Sequence, residues 1–191
     1  FSTLDIIGEY SYDTFVFEKF DLVAEDNAVL SILGSLDIKN IFNSNLNING
    51  NNFPSKILLQ LIKNFDLSKF NPALPEGTLN QFDISLKGSD IFINNFEYIS
   101  NLLTKINLKG KVKKLDLLNS TFTIQVNSSS SNEIKNIAEN LLSGIAIPDV
   151  SFNQFELDAL IENNNFIVNS LTLEDKETIL ETSGSMNLDT S

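Results

Sequence analysis

The chain has 191 residues, 42% of them hydrophobic, with 25 acidic against 13 basic side chains and a formal net charge of −12. Its length and hydrophobic fraction allow a real core, in one large domain or two small repeats, and set it apart from disordered chains. The acidic balance argues against nucleic acid and against broad adhesion to an anionic membrane. The absence of cysteine and histidine excludes thiol and imidazole metal sites and Ser-His or Cys-His catalysis.

No run of about 18 apolar residues occurs, so no membrane span is expected here. The sequence starts at Phe1 without a basic-then-apolar leader. We expect a segment of a longer chain whose anchor lies elsewhere. Asparagine is abundant, 26 residues, and arginine is absent, which points to an AT-rich genome rather than to a function. Phenylalanine (15) far exceeds tyrosine (3). Phe brings apolar area without a polar handle, which suits a dry surface.

In chain order, Leu4 to Tyr12 reads as a first strand and Phe15 to Ala24 as a second, with Phe20, Leu22 and Ala24 on one face. After the turn signal Glu25-Asp26-Asn27, the third strand places Ala28, Leu30, Ile32, Gly34, Leu36 and Ile38 on one side. Phe15 to Ile38 is therefore a hairpin. Leu46 to Gly88 is the stretch that organises the rest: strand, helix, loop, strand. A short strand, Leu46 to Ile48, is expected to stop at Gly50. Pro54 then opens a helix whose stripe is Ile57, Leu58, Leu61, Ile62 and Phe65. Asn71-Pro72 and Leu74-Pro75-Glu76-Gly77 end it.

The strand Thr78 to Gly88 turns Phe82, Ile84 and Leu86 one way, against Asp83, Ser85 and Lys87. Ile91 to Ile99 reads as a strand of mixed faces. Lys105 to Val112 has the sharpest alternation, Ile106, Leu108, Gly110 and Val112 against four polar positions. The phase slips at Lys113-Lys114, which reads as a β-bulge. Thr121 to Asn127 follows, with Phe122, Ile124 and Val126 together. A helix over about 132–143 carries Ile134, Ile137, Ala138, Leu141 and Leu142, and Gly144 stops it. Three more strands complete the chain: Val150 to Ile161, Phe166 to Leu173, and Thr178 to Asp189. The last is expected to bury Leu180, Met186 and Leu188 around Gly184.

Two short words recur. Ile32 to Ile38 and Glu181 to Leu188 share a Gly-Ser-apolar-polar-apolar core; Ile84 to Gly88 and Ile106 to Gly110 share an apolar-polar-Leu-Lys-Gly word. The organisation expected is a first β-meander over residues 1–127 with its helix at about 54–65. A second unit over 128–191 has its helix at about 132–143. Together they form one continuous sheet. The fold class is mainly β, an extended, curved antiparallel sheet with two short helices.

Candidate chemical sites are weak. Asn45, Asn47, Asn49 and Gly50 have the spacing of an EF-hand opening, but the run lacks carboxylates and its twelfth position is Lys56. No metal or cofactor is expected. Asn119-Ser-Thr and Asn127-Ser-Ser match glycosylation sequons that an Asn-rich sequence produces by chance. Lys105, Lys109, Lys111, Lys113 and Lys114 form the one basic cluster, read as a solvated strand face or as a contact for a headgroup or acidic partner. No nucleophile elbow, phosphate-cradling glycine loop or ordered carboxylate pair is present, so no catalysis is expected. The apolar strand faces remain. They make either a closed core or a groove left open for acyl chains, and periodicity does not separate the two.

Several words in order resemble the AsmA-like family of bacterial envelope proteins, the group that includes TamB- and YhdP-type relatives. They are Gly34-Ser-Leu-Asp-Ile, Leu46-Asn-Ile-Asn-Gly before a short apolar helix, Leu74-Pro-Glu-Gly before Phe82-Asp-Ile-Ser-Leu-Lys-Gly, Ile106-Asn-Leu-Lys-Gly-Lys-Val, Leu171-Thr-Leu and Thr182-Ser-Gly-Ser-Met-Asn-Leu. The likeness spans most of Phe15 to Leu188; the Ser-rich entry to the second helix departs from it. It implies a taco-shaped sheet with a hydrophobic trough, in the periplasm, on a parent chain anchored in the inner membrane. The implied role is moving phospholipid toward the outer membrane. On that reading Leu30, Ile32, Leu36, Phe82, Ile84, Leu86, Ile106, Leu108, Val112, Phe122 and Ile124 line the groove. The partner is a phospholipid or another acyl-chain lipid, with envelope proteins as further partners. The alternative is a closed-core interaction module of the envelope or of a secretion system.

Overall fold

Alternating strands joined by tight turns leave each strand next to its predecessor, and the computed structural model follows that rule without exception. It describes residues 2–24, 27–40, 43–57, 75–88, 90–113, 116–141 and 151–187. Eleven strands pair antiparallel in strict sequence order into one sheet, which does not close into a barrel. They are β1 (Thr3–Ser11), β2 (Thr14–Val23), β3 (Val29–Asp37), β4 (Asn45–Pro54), β5 (Gly77–Lys87) and β6 (Asp90–Ser100). After these come β7 (Lys105–Lys113), β8 (Asp116–Ser128), β9 (Gln154–Glu162), β10 (Asn165–Glu174) and β11 (Ile179–Asn187).

The order separates two margins of strand ends. At one margin every connection is short. Tyr12-Asp13 and Asn163-Asn164 turn two of these hairpins with both residues at positive φ, the backbone that tight hairpins require. The opposite margin carries both long connections, β4 to β5 and β8 to β9. A helix, α1, begins there, with residues 55–57 described, and α2 (Ser131–Leu141) follows β8. Ile57 and Ile137 pack from these helices onto the largest core cluster. The remaining stripe residues of the first helix, Leu58 to Phe65, lie outside the described residues, as does Leu142 of the second.

Three expectations are corrected and one is refined. β4 does not stop at Gly50; it runs to Pro54, with Gly50 opposite Leu30 on one side and Phe82 on the other. An added Cβ there would lie 2.6 Å from the Phe82 ring and 2.2 Å from the Val29 carbonyl oxygen. The glycine is needed for close approach rather than for a turn. The phase slip near Lys113 marks the end of β7 as well as an irregularity: Lys113 faces Asp116 on β8, and the pairing shifts register between Lys111 and Lys113. A tight turn and a bulge shift phase alike. The repeat of Ile84 to Gly88 in Ile106 to Gly110 is not structural, since Gly88 follows β5 in a turn and Gly110 lies within β7. Finally, β11 is exposed along its length, with Leu180 at 53% and Met186 at 58%. Among the described residues it is the last strand of the sheet, with β10 as its described neighbour.

The Gly50–Phe82 contact is testable. Gly50→Ala should destabilise the chain by about 1–3 kcal/mol, the usual cost of forcing a group into a packed site, read from urea unfolding. A change below about 0.5 kcal/mol would show that ring and carbonyl yield freely.

Candidate functional site

One face of the sheet is apolar from edge to edge. Successive pairings carry a row through every strand: Leu4 opposite Leu22, then Leu30, Gly50, Phe82 and Phe96. The row continues through Leu108, Ile124, Ala159, Val168 and Gly184. None of these eleven residues has a polar side chain. A parallel row runs Ile32, Ile48, Ile84, Ile93, Gly110, Phe122, Ile161, Phe166 and Met186. At about 4.8 Å between strands, such a row is on the order of 48 Å long.

All eleven groove residues named from the sequence lie on this face. Leu30, Phe82, Ile106, Val112 and Phe122 are buried, whereas Ile32, Leu36, Ile84, Leu86, Leu108 and Ile124 stay partly exposed. Leu46, Val112, Phe122 and Ile161 are buried although the helices stand at the other margin for Leu46 and Val112. A curved single layer accounts for this, because curling brings side chains of one face over one another. The reading missed the share of β2, β6, β9 and β10. Phe17, Phe96, Tyr98 and Ile161 belong to this face, and on β2 and β6 a shift of register had blurred the alternation.

The opposite face is mixed, with Leu33, Phe92 and Leu160 among mainly polar side chains. Asn45, Asn47 and Asn49 lie along β4 there, where Ser85 Oγ donates to Asn47 Oδ1 at 2.8 Å. They occupy a strand and not a cation loop. Lys105 pairs with Glu97 and Lys111 with Asp90, both at 2.6 Å. Lys111 also stands 5.0 Å from the Phe92 ring centre. Two lysines of the basic cluster are thus matched across strands; Lys114 lies outside the described residues. A shallow depression over β7 to β10 is lined by Asn107, Gln125, Asn127, Glu156, Asp158 and Ser170. Gln125 bonds Asp158 and Asn127 bonds Glu156 within it, so these four side chains are paired across strands.

The apolar face ends in hydroxyls at the helix margin. Ser100, Thr104 and Ser128 succeed Tyr98, Ile106 and Val126 on the same phase, and all three are buried. Above them Glu133 of α2 is 5% exposed. Its Oε2 accepts from Ser100 Oγ at 2.7 Å and from Thr104 Oγ1. Thr104 has one hydroxyl proton, so Ser128, 2.6 Å away, donates to Thr104. Nearby, the buried Tyr98 hydroxyl donates to the Pro75 carbonyl. Sequence reading missed this cluster. Its signals were Ser and Thr in the apolar phase at strand ends, and Ser130-x-x-Glu133 before an apolar helix, the capping-box spacing.

Comparison with known protein families, with characterised proteins and with solved structures found no match. The site is therefore read from its own geometry.

Burial first, and then the Glu133 and Glu76 carboxylates, push the Tyr98 phenol up to about 12 from 10.0. The neutral phenol is thus favoured in the folded state, and the unfolded chain releases its proton first. Stability from this group is complete below pH 10 and is lost as pH rises toward 12. We expect unfolding free energy to fall through that window, and Tyr98→Phe to flatten the fall while costing about 1 kcal/mol for the lost hydrogen bond. Urea titrations at a series of alkaline pH values check this; an equal alkaline slope in the variant would contradict it.

Proposed function

We propose that the apolar face is a lipid-binding groove, and that the chain is a non-enzymatic, periplasmic segment of an AsmA-like envelope protein. On this reading the parent chain is anchored in the inner membrane and supports phospholipid transport toward the outer membrane. The carrying observation is the apolar row that crosses all eleven strands of an open sheet. A closed core would hide such a row, whereas here Ile32, Ile84, Leu108 and Ile124 keep part of their surface accessible. Each methylene that an acyl chain buries contributes about 0.8 kcal/mol. A tail lying along the row would be held without a dedicated polar group. The acidic, hydrogen-bonded opposite face suits solvent rather than lipid.

One feature favours a second reading, an interaction module of the envelope. Leu4, Ile6 and Tyr10 on β1, with Leu180 and Met186 on β11, are exposed apolar side chains on strands with one neighbour each among the described residues. Such edges accept a further strand from a partner. Crosslinking from β1 and β11 distinguishes this from lipid binding on the central strands.

Mass spectrometry of the purified protein should find co-purified phospholipid, and a fluorescent fatty acid should bind. Ile124→Asp, placing a charge on the partly exposed floor, should weaken that binding by about tenfold or more, given the cost of an unpaired charge in apolar surroundings. A lipid-free protein that takes up no fatty acid would overturn the groove.

A further inference from the structure

We propose that the chain pairs with a second copy of itself, β11 against β11 in antiparallel register about Ser183, so that two apolar faces join into one. The proposal stands on the edge strand and not on the groove reading. The groove reading only says what a doubled face would hold.

Backbone direction comes first. The Asp175 amide donates to the Thr178 carbonyl at 2.9 Å, and in the same register Glu174 faces Ile179 and Leu173 faces Leu180. In an antiparallel ladder, hydrogen-bonded pairs alternate with non-bonded ones. Thr178, Leu180 and Thr182 therefore turn their backbone groups to β10, and Ile179, Glu181 and Ser183 turn theirs away. The register shift between Val168 and Leu171 does not disturb this order on β11. Its additional residue lies on β10, where Asn169 and Ser170 stand against Ser183 alone. Ser185 accordingly also points its backbone outward. Among the described residues no strand meets that edge.

A two-fold axis through Ser183 pairs outward residues with outward residues, as a bonded ladder requires. Ser183 meets its own copy, and Glu181 meets Ser185 of the second copy. Between them Leu180 meets Met186 of the second copy, and Thr182 meets Gly184, on the apolar face. Leu180 and Met186 are exposed in the single chain, and a cross-strand apolar pair covers both. An added Cβ at Gly184 meets no atom within 4 Å, so the space beside it is open to Thr182 of the second copy.

Charge selects this edge. Within Ile179–Asn187 the one ionisable side chain is Glu181, and the axis sets it against a serine. The same operation on β1, about Ile7, would set Asp5 against Glu9, and like charges directly opposite are destabilising. Pairing β1 with β11 fits less well. The two run in the same direction in this antiparallel order, so a copy continuing the sheet would join them in parallel. Parallel pairs are slightly weaker, and such an array does not close. One strand edge is a small interface, so the dimer is weak and concentration-dependent.

Sedimentation of the chain should give a mass that climbs with concentration from 21.3 kDa toward twice that value and no further. Ser183→Pro removes an amide that β10 does not use. It should hold the mass at one copy and leave hydrogen-exchange protection of β9 and β10 unchanged. The chain has no cysteine, so single cysteines report the register. Ser183→Cys, on the axis, should form a disulfide-linked dimer roughly tenfold faster than Ser185→Cys, whose two copies would lie about 14 Å apart along the strands. Ile7→Cys should lag in the same way. The cysteine variants decide the matter if Ser183→Pro fails to fold. A single-copy mass at every concentration, or Ser183→Cys no faster than Ser185→Cys, would overturn the dimer. Fastest linkage at Ile7→Cys, or growth beyond two copies, would overturn the assignment to β11. Lipid enters none of these measurements, so failure of the groove reading leaves them decisive.

Discussion

Side chains alternate along a strand, so a face stays apolar across eleven strands only if every irregularity of the backbone is matched by one in the pattern. The sheet meets that demand strand by strand. In β2 the apolar phase moves from Phe15 and Phe17 to Phe20 and Leu22, and the pairing to β3 shifts between Phe17 and Asp21. In β6 it moves from Ile91 and Ile93 to Phe96 and Tyr98, and the pairing to β7 shifts between Ile93 and Phe96. In β10 it moves from Phe166 and Val168 to Leu171 and Leu173, across a shift between Val168 and Leu171. An extra residue without the pattern change would turn half a strand's apolar side chains to water. At about 1.5–3 kcal/mol for each large side chain, that cost is high enough to fix the register.

The same coupling explains what could be read in advance. β3 and β7 alternate without interruption, and their faces were legible from Leu30 to Leu36 and from Ile106 to Val112. β6 read as mixed because Asn94 and Asn95 stand where the phase changes, and a change of phase alone does not say whether a strand bulges or turns. At Lys113 a register shift and a reversal of the chain coincide, and the partner Asp116 is what marks the reversal. Gly50 misled for a related reason. A glycine in a strand can mark an end or a close approach, and the deciding ring, Phe82, is 32 positions away in sequence. The eleven residues named from the sequence share one face because apolar residues recur at every second position around each of them. The Glu133 cluster was not legible, because its partners converge from three strand ends.

The polar face reinforces the choice of register without much energy of its own. Lys105–Glu97, Lys111–Asp90 and Lys19–Asp5 all join neighbouring strands, and exposed pairs of this kind contribute only about 0–1 kcal/mol. Their larger effect is exclusion. A slip of one residue would bury these charges on the apolar face, where none has a partner. Asn47 with Ser85 and Asp21 with Ser31 extend the same ladder. Charge on one side and methyl groups on the other thus specify one pairing out of many.

At the helix margin the logic inverts, and polar groups are buried by design of the pattern. Leucine in place of Ser100, Thr104 and Ser128 would hold α2 by burial alone and leave its orientation loose. Hydrogen bonds among three hydroxyls and a carboxyl group are directional, so they orient the helix as well as attach it. Ser100 has a second task. Its Oγ accepts from the amides of Leu102, at 3.1 Å, and Thr104, at 3.0 Å, while its carbonyl accepts from Leu103 at 3.0 Å. Those bonds hold Leu103 at a φ of 66°, a backbone that a bulky residue rarely adopts. They are made by backbone donors and do not involve Glu133. The turn's shape therefore rests on its own bonds to Ser100 and not on the Glu133 carboxylate.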